Sequence, residues 1–381
     1  MTGAVEPGDG GTTVEARAPG RVNLIGEHTD YNAGLCLPIA IPAETRATAR
    51  VLADGPTRLS SAQQDDVWSG RPAEAGPGAV GGWAAYAAGT LWALEQAGVA
   101  LPALDLHLDS SVPLGAGLSS SASLEAAVAV AACAAAGLEV DDALRRDVLL
   151  PACRRAESEV VGAPTGGLDQ SAVLLAGEGR ALLLDFATDE TPLADPVDFD
   201  VAAAGLALLV IDTRVSHSHA DGGYGSRRDE CAAAARALGV ATLRETDAVA
   251  VAGLDDALLR RRAGHVVTEN ARVVAAVTAL ASGDWAGLGR LLDASHESLR
   301  HDFEVSCVEL DVAVETAREA GALGARMTGG GFGGSAIALV PAERVDAVRR
   351  AVDAAFVRAG FAAPGHLDGT PSAPAGLLRS S

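Results

Sequence analysis

The chain has 381 residues, enough for two or three ordinary domains with real cores. At 49% hydrophobic and only 3% aromatic, those cores must be built from Ala, Val and Leu. A formal charge of -21 excludes a nucleic-acid footprint and an anionic membrane surface, so any phosphate has to be held locally.

All 29 basic residues are arginines, which excludes a Walker A phosphate loop and the strand lysine of protein kinases. Cys36, Cys133, Cys153, Cys231 and Cys307 stand singly, with no CxxC or CxxH spacing, and read as reduced thiols of a cytoplasmic protein. The acidic, glycine-rich start lacks the features of a signal peptide. Residues 124–137 are mostly alanine and shorter than the roughly 20 residues that span a bilayer, so they read as a buried helix.

Along the chain, residues 1–13 are expected to be disordered. Strand patterns occupy 14–17, 35–41 and 47–52, so the polar run between the first two sits on a strand and the turn after it. Helices are expected over 83–98, 123–136 and 143–161, and strands over 104–108 and 181–186. The acidic, proline-bearing run 192–200 reads as a link between two lobes, 14–195 and 196–363. In the second lobe, strands are expected over 206–212 and 335–340, and helices over 226–238, 265–281, 308–320 and 342–359. Residues 364–381, rich in Pro, Gly and Ser, read as a flexible tail.

Four segments carry chemistry. Residues 20–32, GRVNLIGEHTDYN, collect so many polar groups beside a strand pattern that a hydroxyl-covered ligand is implied. Residues 113–123, PLGAGLSSSAS, lie between a strand and a helix. Gly115, Ala116, Gly117 and Leu118 let backbone approach a ligand, and Ser119, Ser120 and Ser121 meet it at the helix N-terminus, an anion cradle that needs no lysine. A merely serine-capped helix is the bland alternative. Residues 327–335, MTGGGFGGS, have no packing value and imply a close backbone approach or a sharp turn, unless they are a loose linker. In TGGLDQS, Asp169 follows a double glycine, and Glu157 lies twelve residues earlier on a helix. Two carboxylates in different settings suit an acceptor-orienting group and a Mg²⁺ ligand, although each alone also suits a helix end. Residues 220–228, ADGGYGSRR, read as a glycine-rich loop presenting Tyr224. Two histidine patterns fail as zinc sites: HESLRH at 296–301 puts its imidazoles on different helix faces, and SHSH at 216–219 has no further ligand at the right spacing.

Taken together, the chain resembles the galactokinases of the GHMP small-molecule kinase superfamily. GRVNLIGEHTDYN resembles their sugar signature, PLGAGLSSSAS the superfamily ATP loop and MTGGGFGGS its third motif, in matching order and spacing. HVVTENARV from His265 and SHESLRHDFEVSCVELD from Ser295 extend the likeness over most of residues 14–340. The resemblance implies an α+β two-lobed fold, with mixed sheets, helices packed on them and an active site in the cleft between lobes. It implies ATP-dependent phosphorylation of the anomeric hydroxyl of α-D-galactose, the first committed step of galactose catabolism through the Leloir pathway. Asp169 would be the base and Arg21 its transition-state partner. Glu27, His28, Thr29, Asp30, Gly166 and Tyr224 would bind the sugar, with Asp30 reading the axial 4-hydroxyl. Trp83 would lie beside adenine, and Ser121 and Glu157 would hold Mg²⁺. A monomer is expected, with a small-molecule substrate and no membrane or nucleic-acid partner. Kinases acting on N-acetylgalactosamine, arabinose or mevalonate, and an inactive sensor of galactose and ATP, are the alternatives. The intact EHTDY and the uninterrupted Gly166, Gly167 and Asp169 argue against them. Ala33 stands where the family more often has glycine or glutamine, a change expected to matter little.

Overall fold

The computed structural model describes residues 12–163, 166–188, 191–215 and 220–378. Residues 1–11 of the expected disordered start, Thr165 of the TGGLDQS segment, the SHSH tetrapeptide and the last three residues lie outside the described residues.

Strand β1 (Thr13–Asn23) runs through a turn and the short β2 (Leu35–Cys36) into β3 (Pro38–Val51), which pairs antiparallel with β1. The two strand patterns expected at 35–41 and 47–52 are thus largely one long strand. Pro42, which has no N–H to give, falls in a bulge opposite Pro19 and Gly20, where no ladder bond is needed. Strands β4 (Thr57–Ser61) and β5 (Gln64–Gly70) are not legible because their sequences are largely polar, β5 being mostly exposed and β4 burying only Thr57 and Leu59. Helix α1 (Trp83–Gln96), strand β6 (Leu104–Ser110) and helix α2 (Ser120–Ala135) complete the first lobe's main layer. Ala122, Ala126, Ala127 and Ala129 are fully buried, and their small side chains bring α2 close to β1 and β3.

The helical stretch 142–161 is broken into α3 (Asp142–Leu144), a wide π turn, α4 (Leu150–Arg155) and a second π turn that carries Glu157. Pro151, lacking an N–H, accounts for the first widening. Helix α5 (Leu168–Leu175) follows, then β7 (Arg180–Asp185) and β8 (Leu193–Asp198), which join β2 in a three-stranded sheet. The expected interdomain link is therefore mostly strand, and a boundary at 195/196 would cut it. Pro196 is tolerated because β8 is an edge.

The second lobe comprises β9 (Leu206–Asp212), α6 (Ala220–Leu238), α7 (Ala248–Ala252), α8 (Ala257–Ser282), α9 (Trp285–His301), α10 (Val308–Glu319), β10 (Gly324–Thr328), β11 (Ser335–Pro341) and α11 (Val345–Ala359). The segment expected to be a flexible tail is not one over its described part. Strand β12 (Gly365–Asp368) pairs with β9, and β13 (Gly376–Leu377) returns to β1. The sheets have the orders β13-β1-β3-β6-β4-β5 and β10-β11-β9-β12, antiparallel except for β4 with β6.

Each lobe has its own apolar core, and a third cluster joins them. Val22, Leu24 and Ile39 from the first lobe pack with Val210, Ile337 and Val273 from the second. This seam fixes the turn after β1 against β10 and α8. Among the described residues no helix is long and apolar enough to cross a membrane. All five cysteines are free thiols.

Candidate active site

Five segments meet at a cavity of about 190 Å³ whose walls include Arg21, Glu27, His28, Asp30, Glu157, Asp169 and Tyr224. Strand β1 approaches the serine loop so closely that a Cβ on Gly20 would lie 2.9 Å from the Leu118 carbonyl, and the Arg21 N–H donates to that carbonyl at 3.1 Å. Arg21 is thereby aimed across the loop. Its Nε and Nη2 meet Asp169 Oδ1 at 2.8 and 2.7 Å, while Nη1 donates to the Gly117 carbonyl at 2.5 Å. The other Asp169 oxygen accepts a hydrogen bond from Ser119 Oγ. Ser119 takes a left-handed backbone, φ 59°, and does not cap α2, its hydroxyl going instead to Asp169. A guanidinium spans one carboxylate and one carbonyl here, which a lysine has no geometry to do.

Ser121 lies one residue inside α2, and its hydroxyl donates to Glu157 Oε1 at 3.0 Å. Burial, reinforced by the charge of Asp169, pushes the Glu157 carboxyl up to about 7. An all-oxygen pair at the N-terminus of α2 fits a hard divalent cation, a class in which Mg²⁺ usually completes its shell with substrate phosphates and water. Among the described residues no group of three or more His, Cys, Asp or Glu forms an all-protein cage.

The sugar-signature turn is held from two sides. Glu27 Oε1 accepts from the Gly329 N–H at 2.7 Å and from Thr328 Oγ1 at 3.2 Å, so it fastens the third glycine-rich motif to the turn. Burial raises the Glu27 carboxyl, and Arg326 and Arg21 oppose that. Burial also lowers His28, to about 3, so the ring is neutral. Nε2 faces the Gly330 carbonyl at 3.2 Å and must carry the hydrogen, which leaves Nδ1 to accept from Tyr31 OH at 2.9 Å. Asp30 is pushed up to about 6 by burial, with like-charge contributions from Asp169 and Glu27. Gly166 lies against it: a Cβ there would sit 2.0 Å from Asp30 Oδ2.

The structure corrects three expectations. Thr29, expected to bind the sugar, is fully buried and directs its hydroxyl at the Gly26 and Leu35 carbonyls, at 2.8 and 2.7 Å, closing the turn. Tyr224 does line the cavity, beside His28 at 5.4 Å between ring centroids, but from inside α6 and not from a loop. Of the glycines that resemble a loop, Gly223 serves packing: a Cβ there would lie 2.7 Å from the Phe332 ring. Strand β10, not expected from the sequence, takes in Met327 and Thr328, so the MTGGGFGGS run joins two strands, β10 and β11. Trp83 heads α1 and packs against the first lobe's core, outside the cavity lining. Of the serine loop, Gly115 and Gly117 have positive φ, Ala116 O accepts from Ser335 Oγ at 2.7 Å, and Leu118 is buried. Ser120 begins α2. His296 is buried and faces Asp311 at 3.3 Å, whereas His301 is exposed beside Glu297, so the two imidazoles do diverge.

Several residues of the site were not legible. His265, Glu269 and Asn270 on α8 bond to Glu27 O at 3.1 Å, Gly26 N at 2.9 Å and Leu35 N at 2.8 Å. One helix face thus grips the whole sugar-signature turn. Burial opposes charge on Glu269, but Arg272, His265 and Arg326 bring its carboxyl down to about 2. Their signal was present as polar residues at helical spacing in HVVTENARV, yet nothing in that spacing told a buried face from a wet one.

A family model for the galactokinase galactose-binding signature matches residues 9–51, and models for the N-terminal and C-terminal GHMP kinase domains match 85–177 and 276–358. The chain is 50% identical over 370 residues to the galactokinase of Streptomyces coelicolor, covering 95% of this chain and 93% of that one. It is 48% identical over 356 residues to that of Mycobacterium tuberculosis, covering 92% and 96%. Its fold is similar to the crystal structure of Lactococcus lactis galactokinase complexed with galactose, with a TM-score of 0.88 at 32% identity, covering 96% and 95% of the two chains.

Proposed function

The chain belongs to the galactokinases, within the GHMP kinases, and from that membership we propose that it phosphorylates the anomeric hydroxyl of α-D-galactose, giving galactose 1-phosphate and ADP. As a kinase of this family it uses ATP and transfers a phosphoryl group to an alcohol. The observation that carries the reading is the pairing of Asp169 with Arg21 and Ser119, where the sugar-signature strand meets the serine loop.

In this account the C1 hydroxyl donates to Asp169 Oδ2, the carboxylate oxygen that Arg21 leaves free. The hydroxyl oxygen attacks the γ-phosphorus, the bond to the ADP oxygen breaks, and the hydroxyl proton passes to Asp169. The transition state is loose and mainly demands alignment and neutralisation of charge. Arg21 is anchored at Gly117 and Asp169, so its positive charge needs no rearrangement as negative charge develops beside it. The N-terminus of α2 and the Gly115 to Ser121 backbone receive the phosphates. Ser121 and Glu157 would hold Mg²⁺, which when bound neutralises charge shared between the β- and γ-phosphates. Glu27, His28, Asp30, Gly166 and Tyr224 surround the sugar, and Trp83 is assigned to adenine by resemblance. The enzyme is proposed to be cytoplasmic, a reading supported by its free thiols, and to act as a monomer.

Coupled ADP release measured with galactose, N-acetylgalactosamine, glucose and arabinose tests the substrate. Turnover with galactose well above the others is expected. Galactose binding without turnover would instead mark a sensor.

A further inference from the structure

Behind the metal end of the site lies a carboxyl with no role in the chemistry above. Glu125 sits on α2 one turn after Ser121, is fully buried, and reaches only the Gln170 amide, whose Nε2 donates to Glu125 Oε2 at 3.2 Å. The same Nε2 also donates to Glu157 Oε2. Glu125 Oε1 and Gln170 Oε1 have no hydrogen-bond partner among the described residues. Gln170 is itself fully buried and follows Asp169 directly on α5. One amide therefore bridges two carboxyls, one of them at the cavity and one in the alanine-rich core of the first lobe. A buried carboxyl with an unpartnered oxygen costs stability that an apolar side chain would not. Its contribution has to lie elsewhere.

We propose that Glu125 is a positioning residue for the proposed metal ligand Glu157, acting through Gln170. An amide has two N–H bonds and one oxygen, so with a carboxyl on each side both N–H bonds are directed and the amide has one orientation. Turning it over would put its oxygen against two carboxyls. Glu125 thus holds an N–H on Glu157 Oε2, while Ser121 holds Oε1, and Glu157 is fixed with its remaining lone pairs toward the cavity. Supporting partners of this kind commonly set metal affinity by tenfold or more. The inference rests on the reading of Ser121 and Glu157 as the cation's protein ligands.

The test uses Mn²⁺ as the probe, with binding to the full chain in the presence of ADP followed by electron paramagnetic resonance. Glu125→Leu is expected to weaken Mn²⁺ binding by about tenfold, while Glu125→Gln, which keeps an acceptor oxygen for Gln170, stays within about twofold of the parent. Galactose affinity by calorimetry should be unchanged in both. Gln170→Met should reproduce the loss, and adding it to Glu125→Leu should cost nothing further, because both break the same link. If Glu125→Leu does not fold, Glu125→Ala, which also removes the acceptor for Gln170, takes its place. Mn²⁺ binding unchanged when Glu125 loses its acceptor, alongside loss in Glu157→Gln, overturns the inference whatever Gln170→Met does. Unchanged binding in Glu157→Gln as well overturns the metal reading beneath it.

Discussion

Gly166→Ala perturbs the sugar site by a single methyl group. The new Cβ would lie 2.0 Å from Asp30 Oδ2, 2.5 Å from Cγ and 3.0 Å from Cβ. Ordinary carbon contacts sit near 3.5–4 Å, so the carboxylate has to swing aside by more than about 1 Å. Space on the cavity side is where the sugar would go, so the displaced group loses its hydroxyl partner or blocks it. A hydrogen bond to a charged group contributes about 1.5–3 kcal/mol, so galactose should bind between roughly tenfold and a hundredfold more weakly. ADP should bind as before, because the serine loop is not touched by the change. Calorimetric titration of the variant with galactose and, separately, with ADP measures both. Undiminished galactose affinity would refute the place of Asp30 in the sugar site.

Three further outcomes follow from the packing. Ala33 has φ 57°, a left-handed conformation that costs an alanine roughly 1–2 kcal/mol and a glycine little. Ala33→Gly should stabilise the protein by about 1 kcal/mol in urea unfolding, and a destabilised variant would contradict this. His265 is fully buried, and burial chiefly lowers its imidazole from the ordinary 6.5 to about 4. Its folded value is the depressed one, so its contribution is complete above 6.5 and is lost as pH falls toward 4. Between pH 7 and 5 the stability of the parent should drop about 2 kcal/mol more than that of His265→Gln, and parallel pH profiles would contradict it. Deleting residues from 364 onward removes two strands and the bonds Ser372 N to Ala40 O, Ala375 N to Val173 O and Leu378 N to Glu15 O. Tm should fall by roughly 5 °C or more, whereas a dispensable tail would leave it unmoved.

What the sequence makes legible are segments whose composition has no packing explanation. The arginine and carboxylates of residues 20–32, the serines before α2 and the glycines before β11 stand out for that reason, and all border one cavity or hold its walls. The helices that support them are less legible. Glu125, Gln170 and Glu269 look like ordinary helical polar residues, and only the fold shows that they are buried. Proline and glycine misled in the opposite direction. At 192–200 and after 364 they suggest link and tail, but these stretches hold the edge strands β8, β12 and β13; Pro196 is tolerated at the edge in β8, and the prolines after 364 lie outside the strands. Around Tyr224 they suggested a loop, but Gly223 leaves room for the Phe332 ring inside a helix.

The central claim is that Asp169, fixed by Arg21 and Ser119, receives the proton of the acceptor hydroxyl. Asp169→Asn keeps the shape but has a single acceptor oxygen, which can serve Arg21 or Ser119 and not both, and it removes the basic carboxylate. Its galactose affinity by calorimetry should stay near that of the parent while kcat, measured by ADP release, falls by about 10²-fold or more. An Asp169→Asn enzyme that binds galactose normally and keeps most of its kcat would contradict the account.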